Sequence, residues 1–299
     1  MEDQETPPGQ RQSDSAKAFP QVKVFIEGHY RKLSRDLPQT VFFCPDCKGH
    51  PRRRRGCARC EGFGKLTRDS VQELIGWVVG AAFKTRKNKF HGAGREDVNV
   101  RMLGGGRPFV MELLGPKQHD VDLAAVEAEI NRRNEGRLEV LGLHWTEKGR
   151  VRVVKESKHA KEYRALVDVR GPYDLAVVRG MISKRTAIVQ HTPERVAHRR
   201  ADADRERWIE FISAEPAEPA VDGTARLEVR MRTQHGTYVK EAISGEGGST
   251  RPSLSGLIGA PCECFELDVT QILDEEGSEA QDAPARPSPS AAWGSNLDD

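Results

Sequence analysis

The sequence predicts an α+β fold: a central, mostly antiparallel sheet with flanking helices. Three observations predict it. Several stretches alternate apolar and polar residues with the period of two that half-buries a strand. Two longer stretches, residues 69–83 and 121–136, carry their apolar residues at helical spacing. Strands and helices do not alternate regularly, which argues against a parallel βαβ architecture. With 299 residues and 37% hydrophobic content, the chain can bury a sizeable core in one large domain or two modest ones.

Residues 1–19 are polar and rich in Gln, Pro and Ser, the composition of a disordered segment. "QVKVFIEGHYRKL" (21–33) alternates as a strand does, and a cysteine-rich insert follows at 44–64. "DSVQELIGWVVGAAF" opens on Asp69 or Ser70 as N-cap of a helix. A glycine-rich loop runs from Phe90 into the short apolar strand "PFVMELLG". In "VDLAAVEAEINRRNEG", Leu123, Val126 and Ile130 share a face and Gly136 ends the helix. "LEVLGLHWTE", "EYRALVDVRG", "ARLEVRMRTQ" and "CECFELDVTQIL" read as further strands, and "YDLAVVRGMI" as a short helix. There is no internal repeat. The expected organisation is one folded domain at 20–273, with an acidic, disordered tail at 274–299.

The formal charge of +2 hides a polarity. Residues 44–110 hold 15 Lys or Arg against 6 Asp or Glu, a net of +9, whereas residues 274–299 hold one Arg against 7 acids, a net of −6. A basic region is the footprint expected of a nucleic-acid binder, although a charge run alone is more often a solvated face. Nothing approaches the roughly 18 apolar residues of a membrane span, and the N-terminus has no apolar signal core. A cytoplasmic protein with no membrane association is expected, in which six cysteines serve as metal ligands or free thiols rather than a disulfide framework.

"CPDC" (Cys44, Cys47) and "CARC" (Cys57, Cys60) are two CxxC pairs with nine residues between them. Such spacing turns two thiolates toward one ion, and two pairs complete a tetrahedral shell. Binding of that kind is worth on the order of 10 kcal/mol, enough to organise a polar loop with Arg52, Arg53, Arg54 and Arg55 at its tip. The expected occupant is a structural Zn(2+), closed to catalysis, that presents the arginines to phosphates. Cys262 and Cys264 are spaced too tightly to join it and read as core thiols.

"FHGAGREDVNVRMLGGGRPF" resembles a phosphate cradle at first sight. A P-loop, however, needs Lys and then Ser or Thr after its glycines, where Arg107 and Pro108 stand. "GAGRED" offers only two glycines of a dinucleotide fingerprint. What remains is Arg95, Glu96 and Asp97 between a basic approach, "KTRKNKFH", and an apolar strand. A carboxylate in that field stays ionised and could act as nucleophile or base. An exposed Asp in a polar loop is the bland alternative.

"GREDVNVRMLGGGRPFVMEL" resembles motif II of the pseudouridine synthases, whose signature is an Arg, a variable residue and a catalytic Asp. It is most similar to the archaeal and eukaryotic type of tRNA enzyme that modifies uridines 54 and 55 of the T-arm. "YRKLSRDLPQT", the CxxC insert, "ESKHAKEYRALV" and "TQHGTYVKEAISGEGGSTRPSLSGLIG" carry the likeness in order across 22–273. The resemblance implies a pseudouridine synthase fold with a catalytic cleft, tRNA as partner, and chemistry needing no catalytic cofactor. Asp97 matches the catalytic Asp and Arg95 the Arg that helps displace the base. Tyr163 matches the Tyr that stacks on the uracil, and Lys240 the basic residue that pairs with the Asp. Val239 and Leu257 match the apolar wall. Tyr238 and Arg251 are lesser candidates, and His235 reads as structural or phosphate-facing. Members usually carry a long N-terminal RNA-binding domain of the THUMP type. Only about 40 residues precede Cys44, so the knuckle arginines, or a protein partner, are expected to supply part of the grip on tRNA.

Two other readings compete. A non-catalytic zinc-ribbon RNA-binding protein would have lost the Asp, Tyr or Lys, and all three are present. A glycosidase using Glu96 and Asp97 would need two carboxylates converging across one bond at about 5–9 Å, whereas strand neighbours point to opposite faces.

Overall fold

The computed structural model describes residues 22–197 and 200–273. The segments 1–19 and 274–299, read as disordered from the sequence, lie outside the described residues. Ten strands form one sheet: β1 (Lys23–Lys32), β2 (Asn88–Gly92), β3 (Val100–Leu114), β4 (Leu138–Thr146), β5 (Lys161–Val169), β6 (Arg185–Gln190), β7 (Arg205–Ala217), β8 (Ala225–Thr233), β9 (Thr250–Arg251) and β10 (Cys262–Ile272). Helices α1 (Pro51–Arg54), α2 (Val71–Ala82), α3 (Leu123–Arg133), α4 (Lys148–Glu156), α5 (Ala176–Gly180), α6 (Glu194–Ala197), α7 (Val239–Ser244) and α8 (Leu254–Ile258) flank it, with a 3-10 turn at Glu246–Gly248. The strand order is β4-β1-β3-β10-β5-β8-β7-β6-β9, and β2 pairs with β3. All pairings are antiparallel except β10 with β3. This is the α+β arrangement the sequence patterning predicts.

Local signals account for the long helices. The Ser70 hydroxyl accepts the Glu73 amide and caps α2, while Asp69 pairs with Arg137 instead. Asp122 caps α3 by accepting from the amides of Ala124 and Ala125. Leu123, Val126 and Ile130 then face the core. With Ile26, Tyr30, Phe109, Met111 and the α2 residues Leu74, Ile75 and Val79, they belong to one continuous apolar cluster. Helix α4 covers the opposite face of the β1–β3 region, where Val154 meets Val110 and Ala93.

The glycine-rich stretch is not the loop its composition predicts. Gly104, Gly105 and Gly106 lie inside β3, between the stretch where one of its edges pairs with β10 and the stretch where it pairs with β2, while β1 runs along the other edge. A Cβ on Gly104 would sit 2.1 Å from the Thr270 carbonyl oxygen, and one on Gly106 2.9 Å from that of Tyr30. Both have positive φ, so glycine serves close strand approach here. The loop that remains, residues 93–99, is short and joins β2 to β3.

Candidate active site

This connection carries Arg95, Glu96 and Asp97, and it is fastened from below. The Ala93 amide donates to the Pro108 carbonyl at 3.0 Å, and Arg107 Nη1 to the Ala93 carbonyl at 2.6 Å. Gln39 Nε2 donates to the Gly94 carbonyl at 3.0 Å and to the Tyr30 hydroxyl at 2.9 Å. Glu96 turns inward, where it accepts from Tyr30 Oη at 2.8 Å and lies 2.8 Å from Arg107 Nε. Lys32 is fully buried and donates to the carbonyls of Leu37, Asp97 and Val98, each at 2.9 Å. Burial lowers the Lys32 pKa to about 8. It also pushes the Tyr30 phenol well above its ordinary value, aided by Glu96. Arg107 is buried too, but Glu96 outweighs that penalty and its pKa is raised.

With the loop held this way, Asp97 points outward. Its carboxylate receives Lys240 Nζ at 3.0 Å and Arg195 Nη1 at 3.0 Å, and about a third of the side chain stays accessible. Lys240 also donates to Asn99 Oδ1 at 3.0 Å, and Arg195 reaches back to the buried carboxylate of Glu241. Two cations beside one carboxylate favour its ionised form. Lys240 is placed by α7, whose entry is clamped by Gln190: the Tyr238 amide donates to Gln190 Oε1 and Gln190 Nε2 to the Tyr238 carbonyl, both at 2.9 Å. Arg195 comes from α6. No periodicity in "HTPERVAHRR" marks it, and sequence reasoning missed it. Lys32 did leave a signal, since the alternation of β1 puts it on the inward face with Ile26 and Tyr30.

The other sequence candidates fall into two groups. Tyr163 lies on β5 between Val269 of β10 and Met231 of β8, half-buried against the core. Burial raises its pKa to about 12, so the phenol keeps its proton at neutral pH, and Arg107 and Glu96 are close enough to act on it. Val239 is buried beside Lys240, and Leu257 on α8 packs against the same core. Arg95 is exposed on the outer edge of the loop, and Arg251 is exposed on β9. Tyr238 lies under Arg195, with the guanidinium 6.0 Å from its ring centroid. Glu96 and Asp97 thus occupy separate surroundings and do not form a catalytic carboxylate pair.

The family model described as "Pus10, C-terminal" matches residues 25–273. The chain belongs to the Pus10 C-terminal family. This family member is 44% identical over 258 residues to the tRNA pseudouridine synthase Pus10 of Methanopyrus kandleri, covering 85% of this chain and 57% of the relative. Its identity to the same-named protein of Methanothermobacter marburgensis is 45% over 252 residues, covering 83% and 60% respectively. The chain therefore spans a little over half the length of these curated relatives. Among solved structures, a chain in the crystal structure of a Cbf5-Nop10-Gar1 complex aligns with a TM-score of 0.38 and 19% identity, over 68% of this chain and 45% of the other.

The Pus10-type chain also carries a candidate metal centre. The sulfurs of Cys44, Cys47, Cys57 and Cys60 all lie within 4.8 Å of one another, and the group could hold a metal ion. Cys44 and Cys57 Sγ are 3.8 Å apart, Cys47 and Cys60 Sγ 3.6 Å. A tetrahedron with metal–sulfur bonds near 2.3 Å has edges of about 3.8 Å, so the donor set fits. Both knuckles turn alike: Lys48-Gly49 and Glu61-Gly62 have positive φ throughout. The Gly64 amide donates to Cys60 Sγ at 3.2 Å. Arg52, Arg53, Arg54 and Arg55 form an exposed turn capped by His50, with Phe63 exposed on the same insert and Phe42 and Phe43 exposed just before it. Cys262 and Cys264 lie outside the group; burial pushes their pKa values up to about 11 and about 12.

Proposed function

We propose that this chain is a tRNA pseudouridine synthase that isomerises uridine in the T-arm, at position 54, 55 or both. The observation that carries the reading is Asp97, held outward between Lys240 and Arg195 while its neighbour Glu96 is withdrawn into the core. The names of the matched relatives support it. The target uridine leaves its stack to enter the site. The ionised Asp97 attacks C1′ or removes the C2′ proton, and the N1–C1′ bond breaks with its electrons passing to the uracil. The base turns and C5 bonds to C1′, displacing Asp97 from C1′ or taking back at C2′ the proton that Asp97 removed; C5 then loses its proton and N1 gains one. The sum is an isomerisation with no oxidation or reduction. Tyr163 stacks on the uracil as a neutral phenol, Arg95 helps displace the base, and Val239 and Leu257 form the apolar wall. The catalytic unit is the domain at 20–273, acting in the cytoplasm.

The four cysteines hold a structural Zn(2+), and Arg52, Arg53, Arg54 and Arg55 grip tRNA phosphates, a role that a protein partner would share. Carbodiimide–primer extension on unmodified tRNA should map pseudouridine to the T-arm. Asp97→Ala should abolish that product while tRNA binding, spread over phosphate contacts, persists. Full activity in this variant would refute the assignment. Elemental analysis should find about one zinc per chain, and a folded, zinc-free sample would exclude the metal.

A further inference from the structure

At the end of β5 nearest Tyr163, three segments bring cations together. Lys158 and His159 precede β5, Lys161 begins it, and Lys161 stands opposite Thr233 on β8. Thr233 in turn stands opposite Ile209 on β7. His235 follows β8 in a tight turn, where the Thr237 amide and hydroxyl both donate to the Gln234 carbonyl. Arg207 is the third residue of the adjoining strand β7, which is locked to that turn by Trp208 and Gln234: each amide bonds the other residue, at 3.2 and 3.0 Å. A Cβ on Gly236 would lie 3.6 Å from Arg207 Nε, so the guanidinium lies across the turn.

Two features set this cluster apart. First, Arg207 Nε and His235 Nδ1 are both shut off from solvent and have no hydrogen-bond partner among the described residues. Unpaired buried donors of this kind are rare and call for a partner. Second, Lys158, Lys161, Arg207 and His235 form no ion pair among the described residues. Elsewhere on the same strands the arginines are neutralised: Arg164 by Glu228, Arg232 by Glu162 and Arg226 by Asp168. The crowding is felt within the cluster. Burial lowers the His235 pKa, and the charges of Lys161, Arg207, Lys158 and His159 lower it further. Lys161, whose ammonium donates to the His159 carbonyl, is held to about 8 by burial and by Arg107.

We propose that Lys158, Arg207 and His235, backed by Lys161, form a phosphate-binding pocket that takes a backbone phosphate of the RNA strand beside the nucleotide stacked on Tyr163. The proposal rests on the RNA substrate argued above. Both side chains are only partly buried, so their rotation toward the surface would bring Arg207 Nε and His235 Nδ1 to two phosphate oxygens, and the exposed Lys158 would close over the anion from the solvent side. A divalent cation would be repelled here and a neutral ligand would leave the charge uncompensated, whereas a phosphodiester meets both demands. One residue, Glu162, separates Lys161 from Tyr163, so their side chains share a face of β5, and the pocket would fix the strand next to the flipped base.

The test uses the full chain and an unmodified T-arm hairpin RNA. Arg207→Gln with His235→Asn should weaken hairpin binding about tenfold and reduce the slope of log K against log salt by about one. Arg132→Gln, on the exposed face of α3, should change neither. Should the double variant fail to fold, Lys158→Gln, at an exposed position, should lower affinity about threefold with the same loss of slope. Wild-type affinity and slope in a folded variant would overturn the proposal. In a second arm, the His235 imidazole resonance is followed during titration with inorganic phosphate and then with the hairpin. A shift with both is expected, and a shift with phosphate alone would overturn the RNA assignment. Absence of pseudouridine from wild-type reactions would sink the catalytic reading, yet it would leave these binding results to decide the pocket.

Discussion

Glu96 and Asp97 are consecutive residues with opposite fates. Glu96 belongs to a sealed network with Tyr30, Arg107 and Gln39, reinforced by Lys32 on the carbonyls of Asp97 and Val98. Asp97 belongs to an open cluster with Lys240 and Arg195, partly in water. Each carboxylate has strong charge partners, so charge alone does not distinguish the pair. Surroundings do. A buried ion pair whose partner is removed leaves an uncompensated charge, whereas ion pairs near solvent are worth little to stability. The lower network should therefore carry fold stability and the upper cluster reactivity, and stability measurements can separate the two.

The largest effect should come from Arg107→Met. It leaves Glu96 charged and buried beside Tyr30, and the expected loss is about 3–5 kcal/mol. Denaturant unfolding measures it directly. A loss below about 1 kcal/mol would mean that the network is not sealed and would erase the contrast between the two regions.

Lys32→Met comes next. It strands three carbonyl acceptors but also removes a buried charge, so the expected loss is about 2–3 kcal/mol. This loss should grow with pH. Folding lowers the Lys32 pKa from 10.5 to about 8, so between these values the unfolded chain binds a proton that the folded chain has released. Stability of the wild type then rises with pH on account of Lys32, while the variant lacks that contribution. Denaturation at pH 7 and pH 9.5 should show the gap widening, and a constant gap would show that Lys32 is not desolvated.

The same contrast explains what the sequence made legible. Alternation along β1, β4, β5, β8 and β10 and the caps of α2 and α3 are local signals, and the sheet class followed from them. The Cys₄ set was legible because its spacing is its chemistry. Asp97 stood from its charged surroundings alone only as a weak candidate, and Tyr163 and Lys240 emerged only through resemblance, because a strand tyrosine and a lysine on a six-residue helix carry no pattern that sets them apart. Arg195 escaped altogether: it reaches Asp97 across 98 positions of sequence from a four-residue helix. The glycines misled for a related reason. Composition signals backbone freedom, but only the crossing of β3 past β10 and β1 shows that close strand approach is what uses it.

The smallest stability effect should come from Arg195→Gln, and it sharpens the comparison most. Arg195 is raised above its ordinary pKa by Glu241 and Asp97 despite the opposing effect of burial. It bridges these two carboxylates, one buried and one open. If it belongs with the upper cluster, the loss of stability should stay near 1 kcal/mol or less. Pseudouridine formation should fall by about tenfold, since Asp97 retains Lys240 but loses one of the two ion pairs that hold its carboxylate in place. A stability loss of about 3 kcal/mol with unchanged pseudouridine formation would place Arg195 instead with Glu241 as a structural pair, leaving Lys240 alone to govern Asp97.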